Sequence, residues 1–202
     1  MIRRLVFASV LLSISVTTLA QRPASVVAVE RDERNAKIFF RPGETESMNY
    51  RTPTRSGLID GTPYKYTIDS QGRADYGQVG EWTVRSRFDE MEDTETWYLV
   101  HDDARLLVMP APVGKPSRFC VIGHDYPGRH AMARVDTEQP VTAQGDDCFS
   151  SARLLSELLS ASTIRTRRYE WPEDLPVDAV GDASHFADAV LLYAFMKKTR
   201  FE

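Results

Sequence analysis

Histidine and carboxylate side chains near residue 125 are the groups in this sequence best suited to acid–base or metal chemistry. His124, Asp125 and His130 lie close together along the chain, and imidazole with carboxylate is a ligand combination that zinc accepts. Their spacing around a turn matches no zinc motif, and His101 and His185 supply no second histidine pair beside them. The sequence therefore predicts a polar cluster at a turn, with no metal and no cofactor.

A second pattern, of arginines and aromatic residues, occupies positions 165–171. Alternate side chains of a β-strand share one face, and four residues alternate here: Arg165, Arg167, Tyr169 and Trp171. Arginine combined with aromatic rings is enriched at protein interfaces. We interpret the four residues as a candidate contact face for a protein or a cell-envelope component. The alternative is that Trp171 packs in the core while the arginines form a solvated face with buried stems.

The familiar catalytic motifs are missing from the chain. It contains no G-x-S-x-G nucleophile elbow, no G-x-G-x-x-G loop and no G-x-x-x-x-G-K-[ST] loop. Many carboxylates, among them Glu170, Glu173 and Asp174, could in principle serve glycoside cleavage, but position alone selects none of them. No residue is therefore assigned a catalytic role.

The charge balance bears on the class of partner. The chain of 202 residues carries 25 basic and 29 acidic residues, a net charge of −4. A mildly acidic protein lacks the broad positive field that draws proteins to nucleic acid. Nucleic acid is therefore not expected as a partner.

The first twenty residues have the order of a secretory signal peptide. Arg3 and Arg4 precede an apolar run from Leu5 to Val16, and small residues occupy the exit at Thr18 and Ala20. The alternative is an uncleaved anchor, but the run is shorter than the ~20 residues of a spanning helix. We expect cleavage, no integral membrane span in the mature chain, and a periplasmic or secreted location.

Export changes how the two cysteines are interpreted. In an oxidising compartment, two cysteines in one domain usually form a disulfide, and Cys120 and Cys148 are 28 positions apart. A reactive thiol is the alternative, but Cys120 stands in the apolar stretch Phe119–Ile122, which suits a buried strand. The sequence predicts a structural bridge that pins this strand to the helix following Cys148.

The mature chain divides by composition near Gly80. Residues 21–79 are punctuated by proline and glycine, with Pro53 and Gly57 as examples, and are predicted to be a partly ordered β/loop extension. Residues 80–202 carry short β-prone runs joined by turns and are predicted to form a β-rich domain with two helices. The predicted fold class is α+β, an antiparallel sandwich or meander with two C-terminal helices and one disulfide.

Two segments have helical periodicity. Residues 150–161 carry a leucine stripe and begin with Ser150 or Ser151 as the N-cap. The second helix is predicted from Asp182 or Ser184 to about Lys198, apolar on most sides and therefore in the core. Between them, Pro176 is expected to keep the chain irregular.

Several of these features together resemble the invasion-associated locus B family of exported bacterial proteins. They are Gly80–Val84 at the start of the domain, the strand around Cys120, the segment Ala133–Asp136, and Cys148-Phe149 before the leucine-striped helix. The chain departs from the family in having Ser86 where a cysteine is expected. The resemblance implies a β-sandwich with helices in the periplasm or at the outer membrane, with no agreed enzymatic activity and no catalytic residues.

The sequence thus favours an exported binding or interaction module without catalytic activity. One alternative is a small periplasmic hydrolase that uses His124, Asp125 and His130. Another is an inhibitor of a host hydrolase such as lysozyme, which would block the enzyme's cleft with a loop such as 125–130.

Overall fold

The fold is given by a computed structural model that describes residues 30–31, 39–40, 43–49, 52–111, 115–145 and 147–201. The predicted signal peptide, residues 1–20, lies outside the described residues. Within those ranges the elements are β1 (Glu30–Arg31), β2 (Phe39–Phe40), β3 (Thr45–Asn49), β4 (Thr52–Ile59), β5 (Thr62–Ile68), β6 (Ala74–Val79), β7 (Trp82–Asp89), β8 (Thr94–His101), β9 (Leu106–Met109), β10 (Ser117–Val121), β11 (Met132–Val135), β12 (Val141–Thr142), β13 (Cys148–Ser151), α1 (Ala152–Leu158), β14 (Thr163–Tyr169), β15 (Pro176–Asp182) and α2 (Phe186–Phe201).

A long antiparallel sheet forms most of the molecule. Its strand order is β13-β10-β9-β8-β7-β6-β5-β4-β3, so strands β3 to β10 are neighbours in chain order. A second antiparallel sheet has the order β12-β11-β14-β15, and β1 pairs with β2 separately. Together with two helices and one disulfide, this arrangement confirms the predicted α+β class.

The long sheet runs without interruption through the predicted boundary at residues 79–80. Strand β6 pairs with β7 across the turn there, with Val79 opposite Trp82. Proline and glycine suggested loop before residue 64, yet Pro53 lies in β4 opposite Met48 of β3. Proline is tolerated there because the pairing of β4 with β5 begins only at the next residue, Thr54. Gly57 makes room for the neighbouring strand, since a Cβ there would meet Tyr64 Oη at 2.6 Å. The loop prediction for this segment is wrong because these residues fit the sheet locally.

A carboxylate ties the start of this segment to the sheet. Glu44 accepts hydrogen bonds from the hydroxyls of Tyr64, at 2.5 Å, and Tyr66, at 3.0 Å. Burial, with the neighbouring Glu44 charge, raises the pKa of Tyr66 well above its ordinary value. Both rings, which belong to β5, are nearly fully buried. Their hydrogen bonds therefore join Glu44, which precedes β3, to the packed interior.

Helix α2 lies across the inner face of the long sheet. Phe186 packs on Trp82 with ring centroids 4.7 Å apart, and Phe195 meets Tyr66 edge-on at 5.6 Å. Gly77 lets the helix approach, because a Cβ there would lie 2.5 Å from Met196 Sδ. The helix is therefore the core element that its composition predicted. Among the described residues, no helix has both the length and the apolar character needed to cross a bilayer.

The small sheet packs against one end of the long sheet. His101, fully buried at the end of β8, bonds through Nε2 to the carbonyl of Asp182 at 2.8 Å. Gly181 permits this contact, since a side chain at that position would overlap the imidazole. The segment from Pro176 forms strand β15, paired over its whole length with β14, so the prediction of an irregular segment is wrong.

The predicted disulfide is present, in a setting that differs from the expected one. Cys120 in β10 and Cys148 in β13 are bonded and lie directly opposite each other, with their Cα atoms 4.1 Å apart. The bridge therefore joins two neighbouring strands rather than a strand and a helix. Helix α1 begins four residues after Cys148, and Ser151 caps it by accepting from the Leu154 N–H at 3.0 Å, as one of the two predicted caps.

Candidate functional site

The outer face of the small sheet brings together arginines from two strands. In the register of β11, β14 and β15, Arg134 stands opposite Arg165, and Arg165 stands opposite Val180. The adjacent row places Arg167 opposite Asp178. We call these five residues the arginine face. Side chains on the other side of β14, such as those of Ile164 and Thr166, are buried in the core, which turns the arginines outward.

The charges on the arginine face do not cancel. Arg167 holds Asp178 through two parallel bonds, from Nε at 2.6 Å and from Nη2 at 2.8 Å. This pairing raises the pKa of Arg167 and lowers the pKa of Asp178. Arg134 donates to the carbonyl of Thr137, and the exposed Arg165 has no hydrogen bond or ion pair among the described residues. Three guanidiniums face one carboxylate, which leaves a local excess of positive charge.

A shallow groove follows these side chains. It has a volume of about 340 Å³ and is lined by all five members of the arginine face, together with Met132, Ala133, Pro140 and Thr166. The groove has apolar stretches from Met132 and Val180 between its charged groups. Its volume is at the lower end of the range of small-molecule pockets, and because it is open to solvent it can also take side chains of an extended chain.

Tyr169 and Trp171 lie at one end of the arginine face. Tyr169, the last residue of β14, carries the guanidinium of Arg129 over its ring, 5.3 Å from the centroid. Trp171 lies beyond the strand, packs against Tyr126 at 5.4 Å between ring centroids and is 61% exposed. Arg129 is itself held by Asp174 through a second bidentate pair. The alternative that Trp171 packs in the core does not hold, because most of its surface faces solvent.

The side chains of His124, Asp125 and His130 all form hydrogen bonds with backbone groups. His124 is buried, accepts at Nδ1 from the Tyr169 N–H at 3.0 Å, and therefore donates from Nε2 to the carbonyl of Arg129 at 3.1 Å. Asp125 accepts from the Trp171 N–H at 2.7 Å. The three predicted residues thus act separately, since His130 bonds through Nδ1 to the carbonyl of Gly145. His124 and Asp125 fasten the turn after β10 to the end of β14 and to Trp171, whereas His130 contacts the segment between β12 and β13.

No group of three or more histidine, cysteine or acidic side chains in the described ranges is arranged to hold a metal ion. Sequence reasoning found Arg165, Arg167, Tyr169 and Trp171, but it missed their neighbours on the adjoining strands. Arg134 was visible as an outward residue of an alternating strand. Asp178 and Val180 were hidden because the segment after Pro176 was interpreted as irregular.

No protein-family model, no curated protein and no solved structure matches this chain. The chemistry of the arginine face is therefore the basis for assigning a function.

Proposed function

We propose that this chain is an exported binding module that recognises an acidic protein or cell-envelope component on the arginine face. The observation that carries the proposal is the uncompensated charge of the groove, where Arg134, Arg165 and Arg167 face the single carboxylate of Asp178. Guanidinium groups bind carboxylates and phosphates in a fixed, bidentate geometry. Arg165 is exposed and has no hydrogen bond or ion pair among the described residues, and only its charge acts on Asp178, so it is the group most available for such a ligand.

The surroundings of the groove support a macromolecular partner. Tyr169 and the exposed Trp171 add aromatic surface at its end, and aromatic residues with arginine dominate the energetics of protein interfaces. The groove is shallow, so it offers an extended contact surface instead of an enclosed reaction site. A location outside the cytosol is part of the proposal, and it is supported by the disulfide between Cys120 and Cys148.

The two alternative functions have less support in the geometry. A hydrolase based on His124 would need a ring nitrogen free to act as a base, whereas both of its ring nitrogens already bond to backbone groups. For an inhibitor that inserts the loop 125–130, Asp125 would have to be available, and its carboxylate is engaged with the Trp171 N–H.

The proposal is tested with defined peptides and the oxidised mature protein. The probe is a capped octapeptide of alternating glutamate and threonine, compared with matched peptides in which lysine or glutamine replaces glutamate. We expect the glutamate peptide alone to bind in isothermal titration calorimetry, and we expect binding to weaken with added salt. Arg165→Ala should lower its affinity about 5- to 10-fold, since a charged contact is worth about 1 kcal/mol or somewhat more.

The matched control is Arg87→Ala, which removes an exposed arginine from β7 on the long sheet and should leave the affinity unchanged. Equal binding of the glutamine or lysine peptide would overturn the proposal. So would an Arg165→Ala variant that binds the glutamate peptide as tightly as the parent protein.

A further inference from the structure

Strand β15 is an open sheet edge beside the arginine face. Among the described residues it pairs with β14 on one side, and no strand covers its other side. It is seven residues long, compared with two for β12 at the opposite edge of the small sheet. The edges of the long sheet, β3 and β13, have five and four residues. Proteins usually keep edges short or covered because free backbone groups attract another strand.

Two hydrogen bonds show which backbone groups of β15 face β14 and which face away from it; we call this alternation the phase of the strand. The Ala183 N–H donates to Ser162, next to β14, whereas the carbonyl of Asp182 turns away and accepts from His101. In an antiparallel pair, residues whose groups face the partner strand alternate with residues whose groups face away. Asp178 and Val180 have the same phase as Asp182, so their N–H and C=O groups point outward from the sheet.

Pro176 fits the same phase. It lacks an N–H, and because its backbone nitrogen faces away from β14, the ladder between β14 and β15 loses no bond there. Among the described residues, the outward N–H and C=O groups of Asp178 and Val180 have no hydrogen-bond partner and are thus donors and acceptors open to another strand. Their side chains lie on the arginine face, with Val180 49% exposed.

We infer that the acidic partner binds as an additional β-strand along β15, with main-chain bonds to Asp178 and Val180. This inference rests on the proposed function. A strand added at about 4.8 Å from β15 would turn every second side chain toward the arginine face, where acidic groups meet Arg165 across the exposed Val180. Pairing through the backbone provides affinity, and the local excess of positive charge selects an extended acidic segment of a partner protein as the occupant.

The beginning of the strand offers an apolar contact to the same segment. Leu175, which directly precedes Pro176, is 64% exposed, and Trp171 lies four residues before it. The partner segment is therefore expected to alternate acidic side chains on one face and to carry a large apolar side chain near the end that lies beside Leu175.

The test uses the glutamate–threonine octapeptide in two N-methylated forms. One form is methylated on the glutamate amides and the other on the threonine amides, so that the two forms block opposite edges of the peptide. With the glutamates facing the arginines, a peptide antiparallel to β15 turns its glutamate amides toward the strand, and a parallel peptide turns its threonine amides toward it. In a single binding direction, therefore, only one set of amides faces β15. We expect one form to lose at least tenfold in affinity and the other to bind within about twofold of the unmodified peptide.

A second test changes the protein. Val180→Pro removes the outward N–H without touching the ladder to β14, and it should keep the circular dichroism spectrum while losing at least tenfold in affinity for the unmodified peptide. Ala179→Pro is the matched contrast, because its N–H faces β14, so this variant should lower the melting temperature. If Val180→Pro fails to fold, the methylated peptides still decide the question.

The outcomes separate the two proposals. If the methylated forms bind equally well while Arg165→Ala still weakens binding, the edge is not used and the proposed function stands without it. If the unmodified peptide does not bind at all, both proposals fail. If sedimentation shows a dimer that Val180→Pro converts to monomer, a second copy of the chain occupies β15 and this inference is overturned.

Discussion

Gly181 lies at a point of close approach between the two sheets. The imidazole of His101 occupies the space that a side chain at 181 would need, and its Nε2 bonds to the carbonyl of Asp182 at 2.8 Å. The other ring nitrogen accepts from the Ala104 N–H, so the histidine is satisfied on both sides. A change at residue 181 therefore acts on the contact between the sheets and not on β15 alone.

We predict that Gly181→Ala destabilises the protein by about 1–3 kcal/mol, the usual cost of adding a methyl group to a tightly packed site. Urea denaturation followed by tryptophan fluorescence measures the difference. Gly145→Ala is the control, because no heavy atom of the described residues beyond its chain neighbours lies within 4 Å of a Cβ at residue 145, and its stability should match or slightly exceed that of the parent. Equal midpoints for the two variants would contradict the close contact.

The sequence predicted the role of a single residue well where that role follows from the residue's own chemistry or from its near neighbours in the chain. Cys120 and Cys148 pair as the presence of two cysteines in one domain predicted, and Ser151 caps α1 through its own hydroxyl. The role of His124 could not be read in the same way. Its partners are the backbone of Arg129 and Tyr169, and the second of these lies 45 residues away along the chain.

At the scale of elements, the disulfide acts on the edge of the long sheet. Strand β13 returns to pair with β10 after a separation of 28 residues between the cysteines, and it leads directly into α1. Without the bridge, the unfolded chain gains the conformational entropy of the loop between the two cysteines. The folded strands are still held by their ladder of hydrogen bonds and by Phe119 packing on Phe149.

We predict that the double variant Cys120→Ser with Cys148→Ser is less stable by about 3–4 kcal/mol, the value that the loop-entropy relation gives for this separation. Chemical denaturation under oxidising conditions measures it. The parent protein in excess reductant should approach the same midpoint, which provides the control. A double variant as stable as the oxidised parent would show that the bridge does not stabilise the fold.

Strand β15 shows why one element escaped sequence reasoning. Proline, aspartate and glycine are poor strand formers, and Pro176, Asp178 and Gly181 all fall within it. Each is accommodated by something distant in sequence. Asp178 is neutralised by Arg167 of β14, and Gly181 accommodates His101 of the long sheet, so tertiary contacts outweigh local preference.

For the molecule as a whole, the alternation of apolar and polar residues predicted antiparallel sheet, and the apolar patterns of two segments predicted the two helices. The sequence did not predict that the long sheet extends back to β3. Strands β4 and β5 carry few aliphatic residues and bury Tyr64 and Tyr66 instead. The composition of this segment therefore looks unlike a core. What makes it part of the core is the cover provided by α2 and the bonds to Glu44.

We predict that the fragment 80–202 does not fold cooperatively. It lacks β6, against which α2 packs, so Leu192 and Met196 lose the surface that Gly77 opens to them. A chain of residues 21–202 is the reference. The fragment should bind the dye ANS strongly and show little near-ultraviolet circular dichroism, whereas a sharp thermal transition of the fragment would show that residues 80–202 are an independent domain.

The position of α2 after the strands that it covers has a consequence for biogenesis. Hairpins β3 to β10 join neighbours in the sequence, and such local pairings form early and quickly. The helix that covers Tyr66 and Trp82 follows all of these hairpins in chain order. During synthesis the paired strands therefore expose an apolar face until α2 has been made, and packing of α2 on that face protects it from aggregation.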